Sequence, residues 1–143
     1  MMEEKEKAWK TVSSKYLFHR PWLTVRCEDM LLPNGNHIPE YYILEYPDWV
    51  NTIAITKDGK FVFVRQYRPG LGRTSYELCA GVCDKEDASP LVSAQRELWE
   101  ETGYGKGNWQ EYMVISANPS THTNLTHCFL ATDVEPIDHQ HLE

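Results

Sequence analysis

The sequence predicts an α+β fold in which a mixed, largely antiparallel sheet packs against one well-capped helix. Three observations support it: several apolar runs of strand length, tight turns containing Asn-Gly and Asp-Gly, and one short segment with helix-capping residues at both ends. A chain of 143 residues with 41% hydrophobic residues is long enough to bury a core. Because strands alternate with a single clear helix, we expect that helix to lie on a face of the sheet.

The N-terminal third is predicted to be an antiparallel meander. Residues 1–10 are charged and are typical of a loose arm or a frayed helix. Asn34-Gly35 forms a tight turn, and Pro47-Asp48 ends the segment. We therefore predict an N-terminal arm and meander over residues 1–48 and a main domain over 49–143. Three strands are expected in the meander: 11–18, 22–32 and 37–46.

The main domain is predicted to contain further strands around the helix. Asp58-Gly59 predicts a hairpin between the first two, residues 69–73 a loop, and Gly105 and Gly107 a flexible linker after the helix. No second helix is evident before Glu143, which favours either truncation of the domain there or cloning residues at 142–143. The expected strands are 50–56, 60–67, 75–80, 109–117 and 125–132.

The helix is delimited by local signals. Ser89 is a suitable N-cap, Pro90 fits the first helical position, and Gly103 is placed where a C-terminal glycine ends a helix. The sequence therefore predicts a helix from Pro90 to just before Gly103.

One face of this helix is acidic. Glu97, Glu100 and Glu101 fall at i, i+3 and i+4, so their carboxylates project from the same side. Like charges at this spacing repel, and acids in the last turn oppose the helix dipole. Two interpretations follow: a site for a hard divalent cation such as Mg²⁺, or a solvated face on which Arg96 pairs with Glu100.

Composition limits the function classes. A net charge of −7 disfavours non-specific nucleic-acid binding, which needs a basic surface. No apolar run approaches 18 residues, so no membrane segment is expected. The four cysteines form no CxxC pair, which indicates free thiols and a cytoplasmic protein.

The helix and the loop before it resemble a known family motif. Gly81, followed by Arg96-Glu97-Leu98-x-Glu100-Glu101-x-Gly103-Tyr104, resembles the Nudix box: a glycine, five residues, a glutamate, seven residues, then R-E-U-x-E-E-x-G-U. The second half matches at every defined position. The first half is one residue longer, so the first glutamate falls on Ala88 counting back from Arg96, or on Asp87 counting forward from Gly81.

Flanking residues resemble the ADP-ribose pyrophosphatase branch of the Nudix hydrolases. They are Arg65-Gln66-Tyr67-Arg68-Pro69, Tyr76-Glu77-Leu78-x-Ala80-Gly81, and Pro119, sixteen residues after Gly103. The resemblance implies an α/β/α Nudix sandwich, and a homodimer formed through the N-terminal meander. It also implies Mg²⁺-dependent hydrolysis of ADP-ribose or a related nucleoside diphosphate sugar to a nucleoside monophosphate and a sugar phosphate, with Mn²⁺ as the alternative ion. Two rival functions stay open: hydrolysis of another nucleotide diphosphate or triphosphate, and a non-catalytic nucleotide-sugar sensor.

The family pattern assigns roles on the acidic helix. Glu97 and Glu101 would be direct metal ligands, Glu100 a ligand or an outer partner, and the Ala80 carbonyl an additional ligand. Arg96 would orient the glutamates.

Substrate contacts follow from the same resemblance. Arg68 is the candidate for phosphate, Glu77 for a ribose or base group, and Pro119 stands in the substrate loop; Arg68 as a hairpin cap and Glu77 as a surface acid are the alternatives. Trp49 and Tyr67 are candidates for stacking on an adenine, or core residues. The general base stays open between a C-terminal glutamate, for which Glu143 is available, and His122.

Overall fold

The computed structural model describes residues 7–141 and divides them into two compact units. The first contains the described residues up to Tyr46 together with Ala117–Asn124, and the second contains Pro47–Ser116 and the described residues from Leu125 onward. No helix between residues 7 and 141 has the length and apolar character needed to cross a membrane. The first six residues of the predicted arm, and Glu143, lie outside the described part of the chain.

The first unit is a three-stranded antiparallel sheet in the order β1 (Lys10–Arg20), β2 (Leu23–Leu31) and β3 (His37–Glu45). The turn before β3 is closed by the Gly35 N–H, which donates to the Leu32 carbonyl at 2.9 Å. Ala117–Asn124 joins this unit through β3, because the Leu44 N–H donates to the Thr121 carbonyl at 2.8 Å. The three predicted strands are thus confirmed: β1 is Lys10–Arg20, β2 is Leu23–Leu31 and β3 is His37–Glu45.

The second unit is built on a mixed sheet with one helix, α1, over Pro90–Thr102. Its main path runs in the order β10 (Asn108–Ile115), β11 (Thr126–Pro136), β4 (Trp49–Thr56) and β5 (Phe61–Val62). In addition, β8 (Cys79–Val82) pairs with β4, and β9 (Tyr104–Gly105) pairs with β11. The β4–β11 pairing is parallel, and all the other pairings of this sheet are antiparallel, which confirms the predicted mixed, largely antiparallel sheet. The two remaining strands of the second unit, β6 (Val64–Arg68) and β7 (Arg73–Glu77), pair with each other as a separate two-stranded sheet.

The core of the second unit lies between α1 and one face of β4 and β11. Val50, Thr52 and Ala54 alternate along β4 with at most 1% exposure, so they share one face of the strand. Ala94 and Leu98 of α1 are fully buried in the same two apolar clusters as Val50 and Ala54. The helix therefore covers this face, as the sequence predicts.

The predicted hairpin between residues 50–56 and 60–67 is wrong over most of its length. Only Phe61 and Val62 pair with β4, because β8 occupies the same edge of β4 from Trp49 to Thr52. The chain instead continues as β6, which pairs with β7. The predicted strand 75–80 is likewise two strands, since β7 and β8 pair with different partners.

The predicted flexible linker after the helix is also corrected. Tyr104 and Gly105 form β9 and pair with the end of β11, which extends to Pro136 and not to residue 132. Gly105 packs against the Ile137 side chain so closely that an added Cβ would lie 2.4 Å from its Cδ1. This packing gives a defined structure to the segment after the helix, which its glycine content alone predicts to be flexible.

Candidate active site

The ends of α1 place the acidic residues on a fixed face. The Ser89 side chain accepts a hydrogen bond from the Val92 N–H at 3.4 Å, and Pro90 is the first helical residue. Gly103 has φ 73°, a left-handed conformation that glycine adopts at little cost, and its N–H donates to the Trp99 carbonyl at 2.8 Å. The predicted helix and both of its caps are confirmed.

Arg96 is the centre of an ion-pair network beneath the acidic face. Its Nη1 donates to Glu97 Oε1 at 2.9 Å and to Glu100 Oε2 at 3.0 Å. Its Nη2 donates to the Val82 carbonyl and to Asp87 Oδ2, each at 3.0 Å. Burial lowers the pKa of Arg96, but hydrogen bonds to these carboxylates together raise it by more, so the guanidinium stays charged. The network fixes two of the three glutamates.

The longer loop before the helix is joined to this network by Asp87. Its Oδ2 accepts from the Ser93 hydroxyl at 2.8 Å and from two nitrogens of Arg96. The Ser93 hydrogen bond, together with Arg96, lowers the pKa of Asp87. Of the two positions that counting offers for the first box carboxylate, Asp87 is therefore the one that contacts the helix.

Gly81 allows the Glu97 carboxylate to lie directly on β8. A Cβ built on Gly81 would fall 2.0 Å from Glu97 Cδ, so any side chain there would displace the carboxylate. Burial raises the pKa of Glu97, and the neighbouring charges of Glu101 and Glu100 raise it further against the opposing effect of Arg96. Three like charges are held together here at an electrostatic cost.

Glu101 is held from the β8 side. Its Oε2 accepts from the Cys79 thiol at 2.8 Å and from the Ala80 N–H at 3.3 Å. Cys79 is 1% exposed; burial, followed by the Glu101 carboxylate, raises the pKa of its thiol. Because a carboxylate oxygen can only accept, the thiol donates this hydrogen bond.

The donor set suits a hard divalent cation. Each glutamate of the acidic face has one oxygen held by a protein donor, which leaves the second oxygen of Glu97, Glu100 and Glu101 without one among the described residues. Within residues 7–141, however, no three His, Cys, Asp or Glu side chains already converge as a metal cluster. The carboxylates suit such an ion because carboxylate oxygens are the ligands that it prefers, and because its positive charge would offset their mutual repulsion. Gly81 also leaves space for the Glu97 carboxylate beside β8.

A pocket of about 330 Å³ adjoins β8 within the second unit. Its lining includes Arg68, Ala80 and Gly81, together with Trp49, Asn51 and Thr126 of the central strands. Arg68 donates from Nε and Nη2 to the Glu77 carboxylate, with the shortest contact at 2.6 Å. This hydrogen bond is the main cause of a raised Arg68 pKa and a lowered Glu77 pKa. Glu77 thus holds Arg68 at the pocket.

The predicted site residues fall into two groups. The helical glutamates, Arg96, Arg68, Glu77 and the Ala80 carbonyl all belong to the second unit, whereas Pro119 and His122 belong to the first. The His122 ring lies 5.2 Å from the Tyr46 ring. Tyr67 is 60% exposed and is absent from the pocket wall, whereas Trp49 is part of it.

Sequence reasoning missed Cys79 and Asn51. Cys79 contacts Glu101 because β8 lies beside α1, and Asn51 lies beside Ala80 in the pocket wall because β4 pairs with β8. An asparagine between the β-branched residues Val50 and Thr52 was the one available signal for Asn51.

Two family models match the chain. One, described as the NUDIX domain, matches residues 46–141, and another, described as the nucleoside diphosphate sugar hydrolase N-terminal domain, matches residues 9–44. The first match spans more than half of the chain. The chain belongs to the Nudix family. Hydrolases of this family generally depend on a divalent metal.

Two relatives resemble this Nudix chain over most of its length. An ADP-ribose pyrophosphatase of Bacillus subtilis (strain 168) is 32% identical over 129 residues, covering 90% of this chain and 69% of that protein. A methanol dehydrogenase activator of Bacillus methanolicus is 33% identical over 122 residues, covering 85% of this chain and 65% of that protein. The chain spans about two thirds of the length of either relative.

A solved structure shares the fold. The crystal structure of an ADP compounds hydrolase matches with a TM-score of 0.81 at 22% identity, covering 92% of this chain and 71% of that chain. This likeness confirms the predicted α+β Nudix fold. The family match and the first relative confirm the predicted resemblance to Nudix hydrolases of the ADP-ribose pyrophosphatase branch.

Proposed function

We propose that this chain is a pyrophosphohydrolase that cleaves the diphosphate bond of a nucleoside diphosphate sugar. ADP-ribose is the first substrate to test, and its hydrolysis gives AMP and ribose 5-phosphate. The observation that carries the proposal is the acidic face of α1, lying against Gly81 and beside the Arg68 pocket. The name of the first relative supports the same substrate class.

The acidic face would hold the metal. Glu97, Glu100 and Glu101 would bind it through the oxygens that have no protein donor, with the Ala80 carbonyl as a further ligand. A divalent cation supplies charge neutralisation for the diphosphate and activation of water for attack. Mg²⁺ is proposed because an all-oxygen set of carboxylates and a carbonyl suits it, with Mn²⁺ as the alternative.

Arg96 and Arg68 would act on different partners. Arg96 keeps Glu97 and Glu100 oriented, and Arg68, held by Glu77, would bind a phosphate of the substrate. Glu77 would therefore contribute by positioning Arg68 more than by touching a ribose. Pro119 stays proposed as a residue of the substrate loop, and His122 as a candidate general base.

Two further proposals concern the whole protein. We propose a homodimer formed through residues 1–48, because the first unit exposes many large apolar side chains, and large exposed apolar patches are typical of interaction surfaces. A cytoplasmic location is proposed from the free thiols. The exposed large apolar side chains among the described residues of the first unit are Trp9, Val12, Tyr16, Leu17, Phe18, Trp22, Leu23 and Tyr42.

Replacement of a proposed ligand tests the metal site. Glu101→Gln keeps the size of the side chain but removes its charge, so we expect turnover of ADP-ribose to fall by at least ~100-fold. Glu111→Gln, on the exposed strand β10, is the matched control and should keep wild-type turnover. Turnover of Glu101→Gln equal to wild type at saturating Mg²⁺ would refute the assignment.

A substrate panel separates the proposal from its rivals. Purified protein is assayed with ADP-ribose, other nucleoside diphosphate sugars and nucleoside triphosphates, each with Mg²⁺ and with Mn²⁺. We expect the highest kcat/KM for a diphosphate sugar. Preference for a triphosphate, or tight ADP-ribose binding without product, would contradict the proposal.

A further inference from the structure

Asn51 is a polar residue of the pocket wall that the proposed chemistry leaves unused. It is the third residue of β4, and Val50 and Thr52 on either side are buried on the helix side of the sheet. Side chains alternate along a strand, so Asn51 faces the opposite side together with Trp49, and both residues line the pocket. Asparagine is disfavoured inside strands, which makes this position unusual among its β-branched neighbours.

The Asn51 side chain is half-buried and makes no hydrogen bond with any described residue. An amide offers two donors and one acceptor oxygen, and leaving them unpaired where water is partly excluded costs free energy. A ligand in the pocket would supply the missing partners. The pocket volume of about 330 Å³ lies within the range of small-molecule sites.

The neighbours of Asn51 indicate which part of a substrate it would meet. Asn51 pairs directly with Ala80 across the β4–β8 ladder, so the two Cβ atoms are roughly 5 Å apart. The Ala80 carbonyl and Arg68 mark the proposed position of the diphosphate. On the same face of β4, Trp49 lies two residues away and pairs with Thr126 of β11. Both residues line the pocket, so it continues beyond Asn51 along the Trp49 indole and the Thr126 hydroxyl.

A sugar joined to the diphosphate fits this environment. Its hydroxyls both donate and accept, which matches an amide, and the Trp49 ring offers an apolar wall for the sugar ring. We infer that Asn51 is a specificity-determining residue that hydrogen-bonds the sugar hydroxyls next to the diphosphate. The enzyme thereby favours nucleoside diphosphate sugars over nucleotides that lack this sugar. The inference rests on the proposed function and names the residue that sets its substrate class.

The test compares two ligands that differ in the sugar. ADP-ribose and ADP are titrated into the metal-free protein by calorimetry, for the wild type, Asn51→Leu and Asn51→Ala. Loss of the amide should weaken ADP-ribose binding about tenfold and change ADP binding less than twofold. Ile53→Val, on the same face of β4 but outside the pocket wall, is the control and should bind both ligands as the wild type does.

Kinetics give the second readout. We expect Asn51→Ala to raise the KM for ADP-ribose about tenfold, with kcat changed less, because the proposed metal ligands stay in place. Equal weakening of ADP and ADP-ribose, or no change for either, would overturn the inference. If Asn51→Leu fails to fold, as judged by thermal melting, Asn51→Ala decides the outcome.

Failure of the proposed function gives a different result. Absence of ADP-ribose hydrolysis by the wild type, with either Mg²⁺ or Mn²⁺, would overturn the proposed reaction. The ratio of the dissociation constants for ADP-ribose and ADP, compared between the wild type and the Asn51 variants, would still decide the role of Asn51. If the wild type hydrolyses ADP-ribose and both Asn51 variants still bind ADP-ribose in preference to ADP as strongly as the wild type does, the inference is overturned but the proposed function stands.

Discussion

Arg96 and Arg68 both meet carboxylates in the second unit, but their surroundings differ. Every nitrogen of the Arg96 guanidinium donates to an acceptor of the protein, and its side chain is 24% exposed. Arg68 is 43% exposed and donates only from Nε and Nη2, to a single carboxylate. Its Nη1 has no acceptor among the described residues.

The number of unused donors separates their roles. A guanidinium carries five N–H groups, so an arginine that already satisfies several acidic side chains has little capacity for a phosphate. Arg96 is therefore suited to hold glutamates in position, whereas Arg68 can bind an anion without releasing Glu77. Arginine would thus serve to position carboxylates at residue 96 and to bind an anion of the substrate at residue 68.

Removal of Arg96 should have the largest effect. Arg96→Ala leaves Glu97, Glu100 and Asp87 close together without their cation, which should lower the free energy of unfolding by about 2 kcal/mol. Turnover should fall at least ~100-fold, because the glutamates would no longer be oriented. Urea denaturation and a product assay measure the two effects. Wild-type stability in Arg96→Ala would show that the network contributes nothing to the fold.

Gly81→Ala should lower turnover without a change in the backbone fold. The three atoms nearest to the new Cβ all belong to the Glu97 carboxylate, the far end of a flexible side chain, so the carboxylate would have to leave its place beside Arg96 while the backbone stays unchanged. A displacement of about 1 Å at a reacting group can cost ~100-fold, and we expect a loss of turnover of that order. Gly70→Ala is the control, since an added Cβ there meets no atom within 4 Å. Unchanged turnover in Gly81→Ala would mean that Glu97 is not needed where it lies.

Arg68→Ala should affect substrate binding with little change in stability. Its ion pair with Glu77 is partly exposed, and such pairs contribute little to folding. Loss of a phosphate contact should raise the KM for ADP-ribose about tenfold. Arg65→Ala, on the other face of β6, should leave the KM unchanged. If both variants behave alike, Arg68 serves only as a hairpin cap.

The parts of the molecule that sequence could predict depend on local signals. Ser89, Pro90 and Gly103 fix the ends of α1 through contacts within a few residues, and the spacing of the glutamates then follows from helix geometry. Asn34-Gly35 defines the meander in the same way. The fold class and the acidic face therefore follow from residues that are close together in the chain.

The features of the fold that the sequence could not predict depend on which strands pair with each other. Alternation in residues 60–67 shows which side chains share a face, but the partner strand is decided by β8 occupying the edge of β4. Cys79 and Asn51 reach the site through that same pairing. Counting residues likewise could not choose between Asp87 and Ala88, because the choice depends on how the loop folds back onto Arg96.

The smallest expected effects distinguish two acids on the same arginine. Asp87 is 13% exposed and accepts from both Ser93 and Arg96, whereas Asp84 is 52% exposed and lies 3.2 Å from Arg96 Nη2. Asp87→Ala should lower the melting temperature and reduce turnover severalfold, and Asp84→Ala should change neither, because exposed ion pairs contribute little. Arg96 keeps its contacts to Glu97 and Glu100 in both variants, so the loss should stay well below that of Arg96→Ala. Equal melting temperatures for the two variants would show that Asp87 does not take the place of the first box carboxylate.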